Sequence, residues 1–450
     1  MNTNERRTLL NRRQFLRAAG LTGGALLAAC AAPPAAAPAP TSAPAATAAP
    51  AATTAPQAGG GGEVFLLWSD INNTHQPLIE DFTKATGIKV NQTIVQYNER
   101  LNKINTAVQG GGGFDVVQMD TIWTAQFAAA GWVEDIGDRI TEAIKKDVPD
   151  SSISAVRING KIYGMPYFNS AKHLFYNDKL LKDAGISAPP TTLDEFLNQA
   201  KATTDKSKNL WGSVWSWKQS EALICDWVAI MFTKAGAQIL DNNGKAVFNT
   251  MGGVEALQWM SDLLNTHKVA DPASLEFTED DVRKALETGN YALTYNWEGV
   301  LPEANDPKQS KAAPNVHVAL LPGSKDVKSS SVNGSEGWAI LKIAKNKDNA
   351  WKLLEYMASV AWQKKAMLIA GDYPILSSLY SDPDLQKSVT DFPLYGEQFK
   401  YLAVRPQVPN YTQASDIIQK HLYEALLGKA TPKDAMDAAA DEVNKLSTAP

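Results

Sequence analysis

Between residues 64 and 119 the chain alternates short apolar runs with helical patterns, and few folds admit that order. Val64-Phe65-Leu66-Leu67-Trp68 is a continuous apolar run, after which Leu78, Ile79 and Phe82 recur at helical spacing until Gly87. Ile88, Val90 and Ile94 then follow the every-second-residue rhythm of a strand. Leu101, Ile104 and Val108 mark a second helix that stops at the glycines 110–113, and Phe114-Asp115-Val116-Val117-Gln118-Met119 reads as a third strand. Strand, helix, strand, helix, strand predicts an α/β fold with a mainly parallel sheet. In such sheets ligands sit beyond the carboxyl ends of the strands. The turns Trp68-Ser69-Asp70 and Asp120-Thr121-Ile122-Trp123 are therefore expected to face one crevice.

What precedes this pattern reads as address and tether. Arg12-Arg13-Gln14-Phe15-Leu16 precedes an apolar run at 18–29 that is too short to span a bilayer as a helix, so residues 1–29 are expected to be a signal peptide. The arginine pair resembles the twin-arginine export signal. Leu27-Ala28-Ala29-Cys30 resembles a lipobox, which makes Cys30 the expected lipidation site and membrane anchor. Residues 30–62 are almost wholly Ala, Pro, Thr, Ser and Gly, a composition that cannot bury enough surface to fold and that suits an extended tether.

The remainder, residues 63–450, is longer than the roughly 250–300 residues at which one core stops growing, so two lobes are expected. The chain's formal charge is −5 although the leader holds five arginines against Glu5, so the body is more acidic still. That argues against nucleic acid as a partner. Cys225 is the sole cysteine besides Cys30 and lies among apolar neighbours, which predicts a buried thiol and no internal disulfide. His75, His173, His267, His317 and His421 show no metal-ligand spacing, and no Lys-Ser or Lys-Thr follows the glycine run, so neither metal nor nucleotide cofactor is expected. Thr192 and Thr431 are placed to cap helices, the second of which would bury Met436, Ala439, Ala440 and Val443.

Several phrases occur in a recognisable order. They are Gly131-Trp132-Val133-Glu134-Asp135, Gly160-Lys161-Ile162-Tyr163-Gly164-Met165-Pro166-Tyr167, Phe175-Tyr176-Asn177-Asp178-Lys179-Leu180 and Ala188-Pro189-Pro190-Thr191-Thr192. Ala292-Leu293-Thr294-Tyr295-Asn296-Trp297, Glu336-Gly337-Trp338-Ala339-Ile340 and Arg405-Pro406-Gln407-Val408-Pro409-Asn410-Tyr411 come later. Their collinearity resembles the extracellular solute-binding proteins of the maltose-binding type that serve ABC sugar importers. It departs from that pattern at Glu336, where a glycine is frequent, at Ser170, where an aspartate is frequent, and at Leu193, where a tryptophan is frequent.

The resemblance implies a two-lobe periplasmic-binding-protein fold with a hinge. One lobe would comprise residues 63–168 and 299–343, the other 169–298 and 344–450. It implies a monomeric carrier that captures a carbohydrate and hands it to permease subunits, without chemistry of its own. The chain has twelve tryptophans. A sugar ring offers flat C–H faces to aromatic planes and a rim of hydroxyls to planar polar groups. Trp68 stands near Asp70, Trp123 near Asp120, Trp297 beside Glu298 and Trp338 near Glu336. Trp297, Trp338 and Arg405 match family positions that reach the ligand. The expected contact set is Asp70, Asp120, Trp123, Tyr167, Trp217, Trp297, Glu298, Glu336, Gly337, Trp338, Tyr373 and Arg405. The competing account of each aromatic is a place in a core. Two other functions stay open: a polyamine or glycerol phosphate in the same cleft, and a secreted hydrolase using a carboxyl pair such as Asp120 and Glu298, which needs a separation of about 5–9 Å.

Overall fold

The structure, a computed structural model, describes residues 62–446 other than 71, 242 and 390. The leader, Cys30 and all of the tether but Gly62 lie outside the described residues.

The described strands used below are β1 (Glu63–Trp68), β2 (Lys89–Ile94), β3 (Val116–Asp120), β4 (Met165–Phe168), β5 (His173–Asn177), β6 (Trp211–Ser213), β7 (Tyr291–Asn296), β8 (Val316–Ala319), β9 (Ser331–Val332), β10 (Glu336–Ile340) and β11 (Leu402–Ala403). The larger sheet has the order β2-β1-β3-β10-β4. Its first three strands are parallel, as the alternating pattern predicts, with Leu66 opposite Val116 and Trp68 opposite Ile94. β10 runs antiparallel between β3 and β4, and its first residue, Glu336, lies opposite Asp120. The carboxyl ends of β1, β2 and β3 and the amino end of β10 thus share one edge.

The apolar helical positions serve this sheet. α1 (Gln76–Thr86) buries Leu78, Ile79 and Phe82 and ends on Gly87, whose left-handed φ of 72° a glycine adopts freely. α2 (Tyr97–Gln109) returns the chain to β3. The smaller sheet has the order β8-β5-β7-β6. Beside it lie α3 (Leu193–Thr203) and α5 (Glu279–Glu287), while α4 (Glu221–Met231) packs on β9. Thr192 caps α3 through a bond from Glu195 N, and Cys225 is buried in α4. Farther along, α6 (Lys347–Met357) packs on β1 and β10, and α7 (Val360–Ala370) on α1. The closing pair is α8 (Tyr411–Leu426) and α9 (Pro432–Val443), the latter capped by Thr431 and burying the four apolar residues expected of it.

The sheets divide the chain differently from the boundaries expected at 299 and 343. β8 belongs to the smaller sheet, where Val316 pairs with Asn177. α6 and α7, beyond residue 343, belong with the larger sheet. The pairing of β8 with β5 delays the return until β10.

Three segments join the two sheets: residues 169–172, residues 333–335, and the stretch from residue 371 back to β11. They bond to one another. Asn169 N donates to Tyr373 O at 2.9 Å, Gly334 N to Ser170 O at 3.0 Å, and β9 pairs in parallel with β11.

Candidate functional site

A cavity of about 720 Å³ opens at the shared edge of the larger sheet, facing β7 and the first turns of α4 and α5. On the sheet side Asp120, the last residue of β3, accepts from Ile122 N at 3.1 Å and from the Tyr97 hydroxyl at 2.7 Å. Capping the turn at 121–123 and facing the cavity are therefore one arrangement. Tyr97 is 41% exposed as a residue, and its ring stacks on Trp123 at 5.7 Å and 22°. The Arg100 guanidinium lies 5.0 Å from the Tyr97 ring and 5.2 Å from that of Trp123, and donates to Glu336 Oε1 at 2.8 Å. Burial outweighs Arg100 and raises the pKa of Glu336, whose Oε2 has no hydrogen-bond partner.

On the opposite side β7 delivers Trp297 and Glu298. The indole Nε1 donates to Glu279 Oε1, and the Lys172 ammonium sits 5.4 Å from the ring centroid. Lys172 is fully buried and bonds Asp226 at 2.7 Å, with Glu279 at 3.3 Å. The ring rests on a joining segment: a Cβ at Gly334 would come within 2.4 Å of it. Glu298 accepts from Ser170 Oγ at 2.8 Å and Ala171 N at 2.6 Å, while burial pushes its carboxyl up to about 7.

Arg405 ties the two sides together. Its Nη1 donates to Glu221 at 2.8 Å and its Nη2 to Asn333 O at 3.2 Å, with Asp120 3.7 Å away. Glu221 also accepts from Tyr411 and Ser415. Asp372 closes a third side and accepts from His75 Nε2 at 2.7 Å.

Six of the twelve expected contact residues line the cavity: Asp120, Trp297, Glu298, Glu336, Tyr373 and Arg405. The other six do not. Asp70 caps the backbone at Thr74 and His75, and Trp123 lies behind Tyr97. Tyr167 is 5% exposed and its hydroxyl lies 3.2 Å from His75 Nε2. Trp217 is stacked on Trp215 at 5.0 Å within the second core, and Gly337 lies inside β10, against Val156. Trp338 shares the strand rhythm of Glu336 but sits two residues in from the edge, where Trp68 and Tyr167 cover it completely. Only the terminal residue of the strand reaches the crevice.

Tyr97, Glu221, Glu279, Asp372 and Asp416, none of them in the expected contact set, also line the cavity. Tyr97 was within reach, since it follows β2 at the same edge as the turns after β1 and β3. Glu221 and Glu279 begin helices, where an acidic residue already has a local reason to be.

Several buried groups predict the pH profile of stability. Burial opposes the charge on His75, yet Asp372 and Asp70 outweigh it and raise its pKa from 6.5 to about 9. Its contribution is whole below 6.5 and is lost as pH rises through about 9. Glu298, raised from 4.5 to about 7, acts in the same direction over its own window, with stability falling as pH rises from 4.5 through 7. Burial lowers His173 to about 3, so its contribution is lost on the acid side, as pH falls from 6.5 toward 3. Urea unfolding should therefore show lower stability at pH 9 than at pH 6.5, with His75 supplying on the order of 2–3 kcal/mol. His75→Gln should flatten that limb. Equal stability at the two pH values would refute this assignment.

A model of the bacterial extracellular solute-binding protein family matches residues 68–364. A probable ABC transporter-binding protein of Deinococcus radiodurans is 28% identical over 340 residues, covering 72% of this chain and 77% of that protein. Among solved structures, maltose-bound T. maritima MalE3 is similar with a TM-score of 0.76 and 27% identity, covering 85% of this chain and 98% of that one. A solute-binding protein from Thermotoga lettingae TMO bound with α-D-tagatose has a TM-score of 0.75 and 28% identity, covering 85% and 99%. These are binding proteins with the same two-lobe architecture.

Proposed function

The chain belongs to the bacterial extracellular solute-binding protein family, and from that membership we propose that it captures a carbohydrate between its lobes and delivers it, unaltered, to an ABC importer. The observation that carries carbohydrate is the pairing of aromatic planes with polar rims in one cleft: Tyr97 beside Asp120, and Trp297 beside Glu279 and Glu298. Similar proteins bound to maltose and α-D-tagatose support it. Asp120, Trp297, Glu298, Glu336, Tyr373 and Arg405 are the contacts from the original set, joined by Tyr97 and Asp372.

An anionic solute such as a glycerol phosphate fits poorly. Arg405, the one cationic side chain lining the cleft, is already paired with Glu221 at 2.8 Å and has Asp120 at 3.7 Å, so it has no net charge to spare for a phosphate. The three joining segments would serve as the hinge for closure.

A thermal-shift series against mono- and oligosaccharides tests the reading. A cognate sugar at a hundred times its dissociation constant should add about 2.7 kcal/mol of stability. No shift with any carbohydrate would sink it, and new reducing ends after incubation would replace it with a hydrolase. In the same reading Cys30 carries lipid, residues 31–62 tether the body outside the cytoplasm, and Cys30→Ser should move the protein from the membrane to the soluble fraction. Retention in the membrane fraction would refute the anchor.

A further inference from the structure

The charge of the cleft narrows the class of sugar. Seven acidic side chains line it against a single lining cation, Arg405. Most have a partner behind the wall. Glu336 is paired with Arg100, Glu279 with Lys172 and Asp372 with His75. Those partners are not spare, because Lys172 is shared with Asp226 and His75 with Asp70. Arg405 is divided between Glu221 and Asp120. The two remaining residues, Glu298 and Asp416, have no cation of their own. Glu298 meets Ser170 Oγ, Ala171 N and, at 3.9 Å, the buried His173 imidazole, and Asp416 forms no ion pair among the described residues. The seven lining residues with Asp226 and Asp70 make nine carboxyl groups against four cations.

A second observation points to a ligand. Glu336 is about nine-tenths buried and lines the cleft, and one of its oxygens forms no hydrogen bond, although the Gln118 side chain also favours its charged form. An unmet carboxylate oxygen in such a place is costly unless a donor arrives with the solute. Its cross-strand neighbour is Asp120, and Tyr97 lies beside them, bonded to Asp120. Carboxylates around an aromatic face suit a protonated amine. A metal ion does not fit, because among the described residues no three His, Cys, Asp or Glu side chains are disposed to share one.

Resting on the carbohydrate reading, we propose that the solute is an amine-bearing sugar, whose ammonium group donates to the carboxylates of the cleft while its ring lies against Tyr97 or Trp297. Burial pushes Glu298 up to about 7 and likewise raises Glu336, so an ammonium beside either carboxyl would favour its ionised form.

The test compares matched probes by calorimetry on the full chain: glucosamine with glucose and N-acetylglucosamine, and the glucosamine disaccharide with its N-acetylated form and with maltose. The amine form is expected to bind at least about tenfold tighter than its neutral counterpart, a preference of about 1.4 kcal/mol. That preference should shrink as salt is raised from about 0.05 to 0.5 M. Neutral sugars that bind as tightly or more tightly would overturn the inference and leave carbohydrate capture standing. Binding of spermidine or putrescine with no sugar of either kind would overturn both. Failure of every amine sugar in the series to bind would overturn the inference alone whenever a neutral sugar binds.

Discussion

Lys172→Met should lower the unfolding free energy by about 3–5 kcal/mol, read as a shift of the urea midpoint at constant slope. Lys172 and Asp226 are both fully buried, 2.7 Å apart, and Ser216 is the other side chain bonded to Asp226. Removing the ammonium strands a carboxyl group that burial already holds up near 6 even with the lysine in place. It also removes the cation over the Trp297 ring and leaves Glu279 without its ion-pair partner, so this wall of the cleft loses its support. The double variant Lys172→Met with Asp226→Leu should recover most of the stability, since an apolar pair of similar volume often replaces a buried ion pair at little cost. A single-variant loss below about 1 kcal/mol would mean that Asp226 is neutral in the native state and that the pair is not what holds this wall.

The two tryptophans given the same role by resemblance should part company. Trp297→Ala should cost about 2 kcal/mol or more of ligand affinity, roughly thirtyfold, with a small change in stability, because its ring is a half-buried wall of the cavity. Trp338→Ala should do the reverse. It empties a fully covered site between Trp68 and Tyr167 and should cost about 3–5 kcal/mol of stability. Titration of both variants with the cognate sugar, beside urea unfolding, checks this. Lost affinity in a stable Trp338→Ala protein would bring that ring back into the site.

The parallel core of the larger sheet was legible because continuous apolar strands and capped, Gly-terminated helices are local signals. Gly87, Thr192 and Thr431 each end or begin a helix for reasons contained in a few residues. The site was half legible. Asp120 could be placed because it ends a strand at the edge where such sheets bind ligands. Trp338 could not, since the residue pattern does not say how far from the edge a strand residue lies, and two positions decide between cavity and core. Glu221 and Glu279 look like ordinary first-turn acids. Only tertiary partners, Arg405 for one and Lys172 with Trp297 for the other, give them another task. The pairing of β8 with β5 was invisible for the same reason: nothing within residues 316–319 says which strand they will join.

β10 fills the slot between β3 and β4, yet it is made long after them. Glu336 lies 236 residues beyond Arg100, its partner. At synthesis rates of about 5–20 residues per second, that gap corresponds to roughly ten to fifty seconds. During that interval β3, and β4 once made, lack the strand that pairs with both, and Arg100 lacks its ion-pair partner. Any fragment ending before residue 340 lacks the middle of its own sheet, so the early part of the chain cannot mature into a working half while the rest is still being made.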